Sequence, residues 1–264
     1  MTGLITKGIG GFYYVLTEQG MIEAKGRGIF KKDGITLSVG DKVEIELIEE
    51  GKGVINEIYP RKNQFIRPPI VNVDTFIVVI APARPKPNYI LIDKFLVMAE
   101  MNGMEPILCI NKCDLVSPEE ISHIKEIYNG VYPVLTLSCQ TGQGLQELKD
   151  RIQGQKAALA GPSGVGKSTI LNCLHPEANM ETGDISHKTH RGKHTTRHVE
   201  IFQIEGGGMV FDTPGFTSFE ILEADEMNLM NFYPEIEHFK GQCRYDDCRH
   251  LKEPACAVRA AVAK

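Results

Sequence analysis

Apolar and polar positions alternate strictly in places along the N-terminal stretch. Val43, Ile45 and Leu47 alternate with Lys42, Glu44 and Glu46, the period of a strand with one buried face. Residues 12–16 are aromatic and β-branched, and 54–58 repeat the alternation. Gly26, Gly28, Gly34, Gly40 and Gly51 mark turns between these segments. Short strands with glycine turns and little helix predict a small β-barrel, with another kind of small β-domain as the alternative.

Beyond residue 70 the pattern changes. Residues 76–80 form an unbroken apolar run, the signature of a strand buried on both faces. A proline-rich loop (Pro82, Pro85, Pro87) leads into a helical pattern over 89–101. Residues 107–110 predict a second buried strand, and 131–137 a third. Between them Ser117-Pro118-Glu119-Glu120 reads as a capping box with proline at the first helical position. Leu145, Leu148 and Ile152 share a helix face, and 157–160 form a fourth strand ending at a glycine. This alternation predicts a parallel α/β sheet. Residues 199–204 and 209–211 flank Gly206-Gly207-Gly208 and predict a hairpin. Residues 225–232 and the Ala-rich run 254–264 read as helices, the latter with no cap before the last residue, as if the chain stopped inside a helix.

Composition narrows the class. With 29 Lys and Arg against 34 Asp and Glu among 264 residues, the net charge is −5, which excludes a generally polycationic protein but not a local basic patch. No apolar run is long enough for a membrane helix and no leader pattern opens the chain, so a cytoplasmic protein is expected. Seven cysteines, an odd number, argue against a disulfide framework.

Four segments carry chemistry. Gly161-Pro162-Ser163-Gly164-Val165-Gly166-Lys167-Ser168, followed by Thr169, fits the phosphate-loop pattern between a strand and a helix. There backbone N–H groups cradle phosphates, Lys167 supplies a cation, and Ser168 offers a hydroxyl to Mg²⁺. Asn111-Lys112-Cys113-Asp114 ends a buried strand. An aspartate in that place accepts hydrogen bonds from guanine N1–H and the 2-amino group, which adenine lacks; Lys112 is expected across the base. Ser138-Cys139-Gln140 follows the next strand, where a backbone N–H would meet guanine O6. Asp212-Thr213-Pro214-Gly215 also follows a strand; Asp212 would reach Mg²⁺ through water and Gly215 would sense the γ-phosphate. These motifs stand in permuted order, with the base-recognition segments ahead of the phosphate loop. Cys113 and Cys139 read as packing residues.

Residues 187–198 hold four of the eight histidines and four Lys or Arg without an acid, and their position makes them the first switch. Thr195 or Thr196 would bind Mg²⁺; the sequence leaves open which. The basic excess suits RNA phosphates, or a solvated loop. Phe216 follows Asp212–Gly215 where Ras-like enzymes place a glutamine, so another group must position the attacking water. His194 is the candidate, catalysing together with Lys167 and Asp212. Cys243, Cys248, His250 and Cys256 form a Cys₃His set suited to a closed structural Zn²⁺ site.

Together these motifs resemble the bacterial small ribosomal subunit biogenesis GTPases of the RsgA family, also called YjeQ or YloQ. The resemblance spans essentially the whole chain. It implies an OB-like barrel over 1–67, a circularly permuted GTPase domain over 68–220 and a small zinc-binding α domain over 221–264. It further implies hydrolysis of GTP to GDP with Mg²⁺, stimulation by the 30S subunit during its late maturation, contact of the outer domains with 16S rRNA, and a monomer. The alternatives are a non-catalytic RNA-binding adaptor that holds nucleotide, and a P-loop kinase or ATPase, against which Asn111–Asp114 speaks. Ser-Cys-Gln at 138–140, where many GTPases have Ser-Ala-Lys, implies modest nucleotide affinity.

Overall fold

The computed structural model describes residues 1–32, 34–178, 199–216 and 228–263. Five strands close the predicted barrel: β1 (Thr2–Ile9), β2 (Phe12–Thr17), β3 (Gly20–Gly26), β4 (Lys42–Glu49) and β5 (Lys52–Ile58). Their circular order is β1-β2-β3-β5-β4, and only the β3–β5 pair is parallel, the arrangement of an OB fold. The alternating apolar positions point inward, where Ile5, Val15, Ile22, Val43, Ile45 and Ile55 form the core. A short helix, α1 (Gly28–Lys32), follows β3 where the sequence suggested only turns. Phe30 anchors it by inserting into the barrel core.

The second sheet contains β6 (Thr75–Ile80), β7 (Glu105–Ile110), β8 (Val134–Thr136), β9 (Lys156–Ala160), β10 (Glu200–Gln203) and β11 (Met209–Phe216). Its order is β10-β11-β9-β6-β7-β8, parallel throughout except for β10. Helices α2 (Tyr89–Met101) and α3 (Pro118–Tyr128) contribute to the core on one face; α4 (Leu145–Arg151) and α5 (Lys167–Leu174) contribute on the other. This explains the unbroken apolar run: Phe76, Val78 and Ile80 feed one core, Ile77 and Val79 the other. Both hydrogen bonds of the capping box at Ser117 and Glu120 are present. The third strand is shorter than its apolar pattern. Pro133 has no N–H for a ladder, and Tyr132 bridges back to Asn129, so β8 starts only at Val134.

The barrel is seated on this sheet. Arg61 donates to both carboxylate oxygens of the fully buried Asp41, at 2.7 and 2.8 Å, and to the Thr36 carbonyl. Asn72 Nδ2 donates to Gly40 O, and Asn63 binds both the N–H and the carbonyl of Val73. Gly40 is required here. Its φ is +99°, and a Cβ would lie 2.1 Å from Val71 O and 3.1 Å from the Phe211 ring. Leu4, Val39, Ile70 and Val73 share one core with Ile201 and Phe211. One cross-strand pair, Lys7 with Glu200, joins β1 to β10, and their side chains form an ion pair at 2.6 Å.

At the C-terminal side the expected helix over 225–232 is, in its described part, a single 3₁₀ turn at Leu229–Phe232. Tyr233 is extended because it precedes Pro234, which opens the short helix α6 (Pro234–Glu237). Of the expected helix over 254–264, α7 covers Ala257–Val262. Ala255 adopts φ +56° and Cys256 caps the helix instead of entering it.

Candidate nucleotide site and metal centre

The phosphate loop leaves β9 at Ala160 and enters α5 at Lys167. Its tight return requires glycine at 166, where φ is +100° and a Cβ would lie 2.3 Å from Asn111 Nδ2. The α5 N-terminus opens into the loop without a side-chain cap, so its first N–H groups and its dipole remain available to an anion. Lys167 folds across the loop, donating to the carbonyls of Gly161 at 2.6 Å and Pro162 at 2.9 Å. Burial pushes its ammonium down to about 8.

The loop 111–114 is strapped to the phosphate loop. The Asn111 side chain is buried and its Nδ2 donates to Val165 O at 2.9 Å. Lys112, itself in a left-handed conformation with φ +61°, donates through Nζ to Gly164 O at 2.6 Å and Arg84 O at 3.2 Å. The Arg84 carbonyl was not legible as a site group: it belongs to the proline-rich loop after β6, and a backbone acceptor leaves no side-chain signal. Asp114 is exposed, and one of its oxygens accepts the Ser138 hydroxyl at 2.5 Å. The Ser138 N–H donates to Gln143 O, and its hydroxyl oxygen accepts Thr141 N–H. Burial pushes the thiols of Cys113 and Cys139 up. Cys113 is buried against Gln143 and Cys139 lies against Asn111.

β11 runs parallel to β9, pairing Phe211 with Ala158 and Phe216 with Ala160. That register carries Asp212 to the strand ends from which the phosphate loop springs. Ser168 and Thr169 occupy the first turn of α5. The first switch, with His194, Thr195 and Thr196, lies outside the described residues.

The cysteine and histidine cluster assembles as expected. Cys243, Cys248, His250 and Cys256 bring one ligand atom each to within 4.8 Å of one another. His250 Nδ1 stands 3.6, 3.5 and 3.3 Å from the three sulfurs, and Cys243 Sγ is 3.9 Å from Cys256 Sγ. Ligands about 2.0–2.3 Å from one ion in a tetrahedron are separated by roughly these edges, so the residues fit a closed metal site. The loop is strained to do so: His250 and Ala255 both have positive φ. Glu253 steadies it, accepting N–H groups of Arg249, Leu251 and Lys252; its own backbone N–H first, then those of Arg249, Lys252 and Leu251, hold its carboxyl down to about 2.

Comparison with known proteins agrees with this geometry. Residues 58–222 match the RsgA GTPase family and residues 2–55 the RsgA N-terminal domain. A small ribosomal subunit biogenesis GTPase RsgA from Caldanaerobacter subterraneus is 46% identical, covering 98% of this chain and 88% of the relative. One of the same name from Clostridium kluyveri is 47% identical over 99% of this chain and 91% of its own length. The crystal structure of YjeQ from Thermotoga maritima superposes with a TM-score of 0.87 at 35% identity, covering 99% of this chain and 91% of that one. YloQ, described as a circularly permuted GTPase, gives 0.83 at 38% identity, over 99% and 88%. Identity of this order, spread over almost the whole of this chain and accompanied by the same permuted fold, is the mark of common descent, and the chain belongs to the RsgA GTPase family.

Proposed function

We propose that this GTPase acts on the small ribosomal subunit, assisting its late maturation, and that the subunit stimulates hydrolysis of GTP to GDP. The observation that carries the reading is the strap of Asn111 and Lys112 onto Val165 and Gly164: guanine recognition and phosphate binding share one rigid frame. The relatives are named for ribosomal biogenesis. In this reading residues 1–67 and 221–264 serve as outer units contacting 16S rRNA, residues 68–220 turn over nucleotide, and the monomer works in the cytoplasm. Among the described residues no helix is long and apolar enough to cross a membrane.

Asp114 accepts from guanine N1–H and the 2-amino group, one oxygen being steadied by Ser138. The Ser138 amide is engaged by Gln143, so the N–H for O6 comes from Cys139 or Gln140. Gly161 through Ser168 wrap the phosphates with backbone N–H groups, and Lys167 exchanges its two loop carbonyls for β- and γ-phosphate oxygens. Ser168, Asp212 and one of Thr195 and Thr196 would hold Mg²⁺, which neutralises charge on the phosphates when bound. Gly215 supplies the γ-phosphate contact and His194 orients the water. Zn²⁺ in the Cys₃His set replaces a hydrophobic core that so short a segment lacks.

The test is GTP turnover by the protein alone, with small subunits and with large subunits. Stimulation by small subunits only is expected. Equal rates in all three, with GTP still bound, would favour the adaptor. His194→Ala is expected to bind nucleotide normally and lose stimulated turnover; full stimulated turnover excludes His194 from the role.

A further inference from the structure

Three charged residues form a row across the junction of barrel and nucleotide sheet. Lys7 on β1 is the cross-strand partner of Glu200 on β10, and Glu200 is the cross-strand partner of Asp212 on β11. Directly opposed residues of antiparallel strands put their side chains on one face, with Cβ atoms about 4.5–5.5 Å apart. Two carboxylates so placed repel unless something compensates them. The barrel compensates Glu200: Lys7 Nζ lies 2.6 Å from its Oε2, with both side chains only about a third exposed, 31% and 29%.

We propose that Lys7 and Glu200 are positioning residues for the GTPase reaction: together they set the electrostatic potential at Asp212 and, through it, the discrimination between GTP and GDP. The inference rests on the reading of Asp212 as the carboxylate facing Mg²⁺ and the γ-phosphate. GTP brings about one more negative charge to that place than GDP does. The row itself carries one net negative charge. Neutralising Lys7 leaves two, neutralising Glu200 leaves none, and neutralising both restores one. Glu200 stands one strand spacing and Lys7 two strand spacings from Asp212, about 5 and 10 Å, and at a site only about a third exposed a unit charge about 10 Å away alters a binding ratio about three- to tenfold. The signs separate this from a merely structural contact. Both single substitutions break the same ion pair, so a structural role moves the ratio one way for both; an electrostatic role moves it in opposite directions.

The experiment measures affinities for GDP and for a non-hydrolysable GTP analogue with Mg²⁺ at low salt, by titration calorimetry on the full chain. Lys7→Met is expected to lower the preference for the analogue about three- to tenfold and Glu200→Gln to raise it by a similar factor. The double variant should return toward the wild-type ratio; the charge swap Lys7→Glu with Glu200→Lys re-forms the ion pair but brings the cation one strand nearer Asp212, so it should raise the preference for the analogue, and a swap that keeps the wild-type ratio overturns the proposal even if a neutral variant fails to fold. Single variants that shift together, or that keep the wild-type ratio, overturn the proposal. Asp212→Asn serves as the control. If it leaves the Mg²⁺ dependence of analogue binding unchanged, the role of Asp212 falls and takes the proposal with it; if it abolishes that dependence while the row variants are silent, only the proposal falls.

Discussion

Asn111→Ala tests the strap directly. The Asn111 side chain is 2% exposed, and its Nδ2 donates to the carbonyl of Val165, a residue 1% exposed. Removing the donor strands a buried carbonyl, which costs about 1–3 kcal/mol. It also empties the space over Gly166 that the amide fills. The penalty falls on the phosphate-binding conformation, since the carbonyl belongs to the phosphate loop. At about 1.4 kcal/mol per tenfold, GDP affinity should drop about 5- to 150-fold. The assay is calorimetric titration with GDP and with IDP, whose base lacks the 2-amino group. Asp114 is untouched by the substitution, so the GDP-to-IDP ratio should hold while both affinities fall; in Asp114→Ala that ratio should collapse. Thermal unfolding without nucleotide checks that the fold survives. A folded Asn111→Ala protein that binds GDP within about twofold of wild type, or that loses only the ratio, refutes the reasoning.

Other outcomes follow from the same site. Asp114→Asn should turn preference from guanine toward xanthine nucleotides, because an amide N–H₂ complements the C2 carbonyl of xanthine; competition binding with XDP and GDP checks it. Lys167 has its ammonium pushed down to about 8 by burial, and bound phosphate restores the charge. GDP binding should therefore take up protons above pH 8 and weaken as pH rises through that value; titrations in buffers of different protonation enthalpy that detect no uptake refute this. Chelation should release one metal ion per chain and expose the thiols of Cys243, Cys248 and Cys256 to titration, with loss of the α7 helix signal. GDP binding should persist, because none of the four ligands lies in the nucleotide loops.

The parts of this fold that were legible in the sequence are those fixed locally. Residues 76–80, the helix over 89–101 and the capping box at Ser117 depend on near neighbours and emerge as read. So does the cluster of Cys243, Cys248, His250 and Cys256, whose spacing lies within one loop. What was not legible depends on distant partners. Nothing in residues 20–26 announces the parallel pairing of β3 with β5 that closes the barrel. The apolar run 131–137 hides that Pro133, which has no N–H to donate, delays the start of its strand to Val134. Arg61 and Asp41 belong to no motif, yet they fix the linker to the barrel. At the nucleotide site, residue types were readable and their acceptors were not: Lys112 is bound by two carbonyls, and Ser138 grips Asp114 through its side chain while its own amide turns inward.

The shared core at the base of the barrel also bears on how the protein is made. Leu4 and Val39 lean on Ile201 and Phe211, which leave the ribosome far later. At about 5–20 residues per second, the interval from Val73 to Phe211 is roughly 7–28 s. For that time a newly synthesised barrel carries an apolar sole that lacks its β10 and β11 partners. An isolated barrel fragment should therefore be sticky, and the span before the β10–β11 hairpin emerges is when the nascent chain most needs shielding. A protein whose relatives are named for building ribosomes thus has a first domain that stays unfinished until a late segment of the same chain arrives.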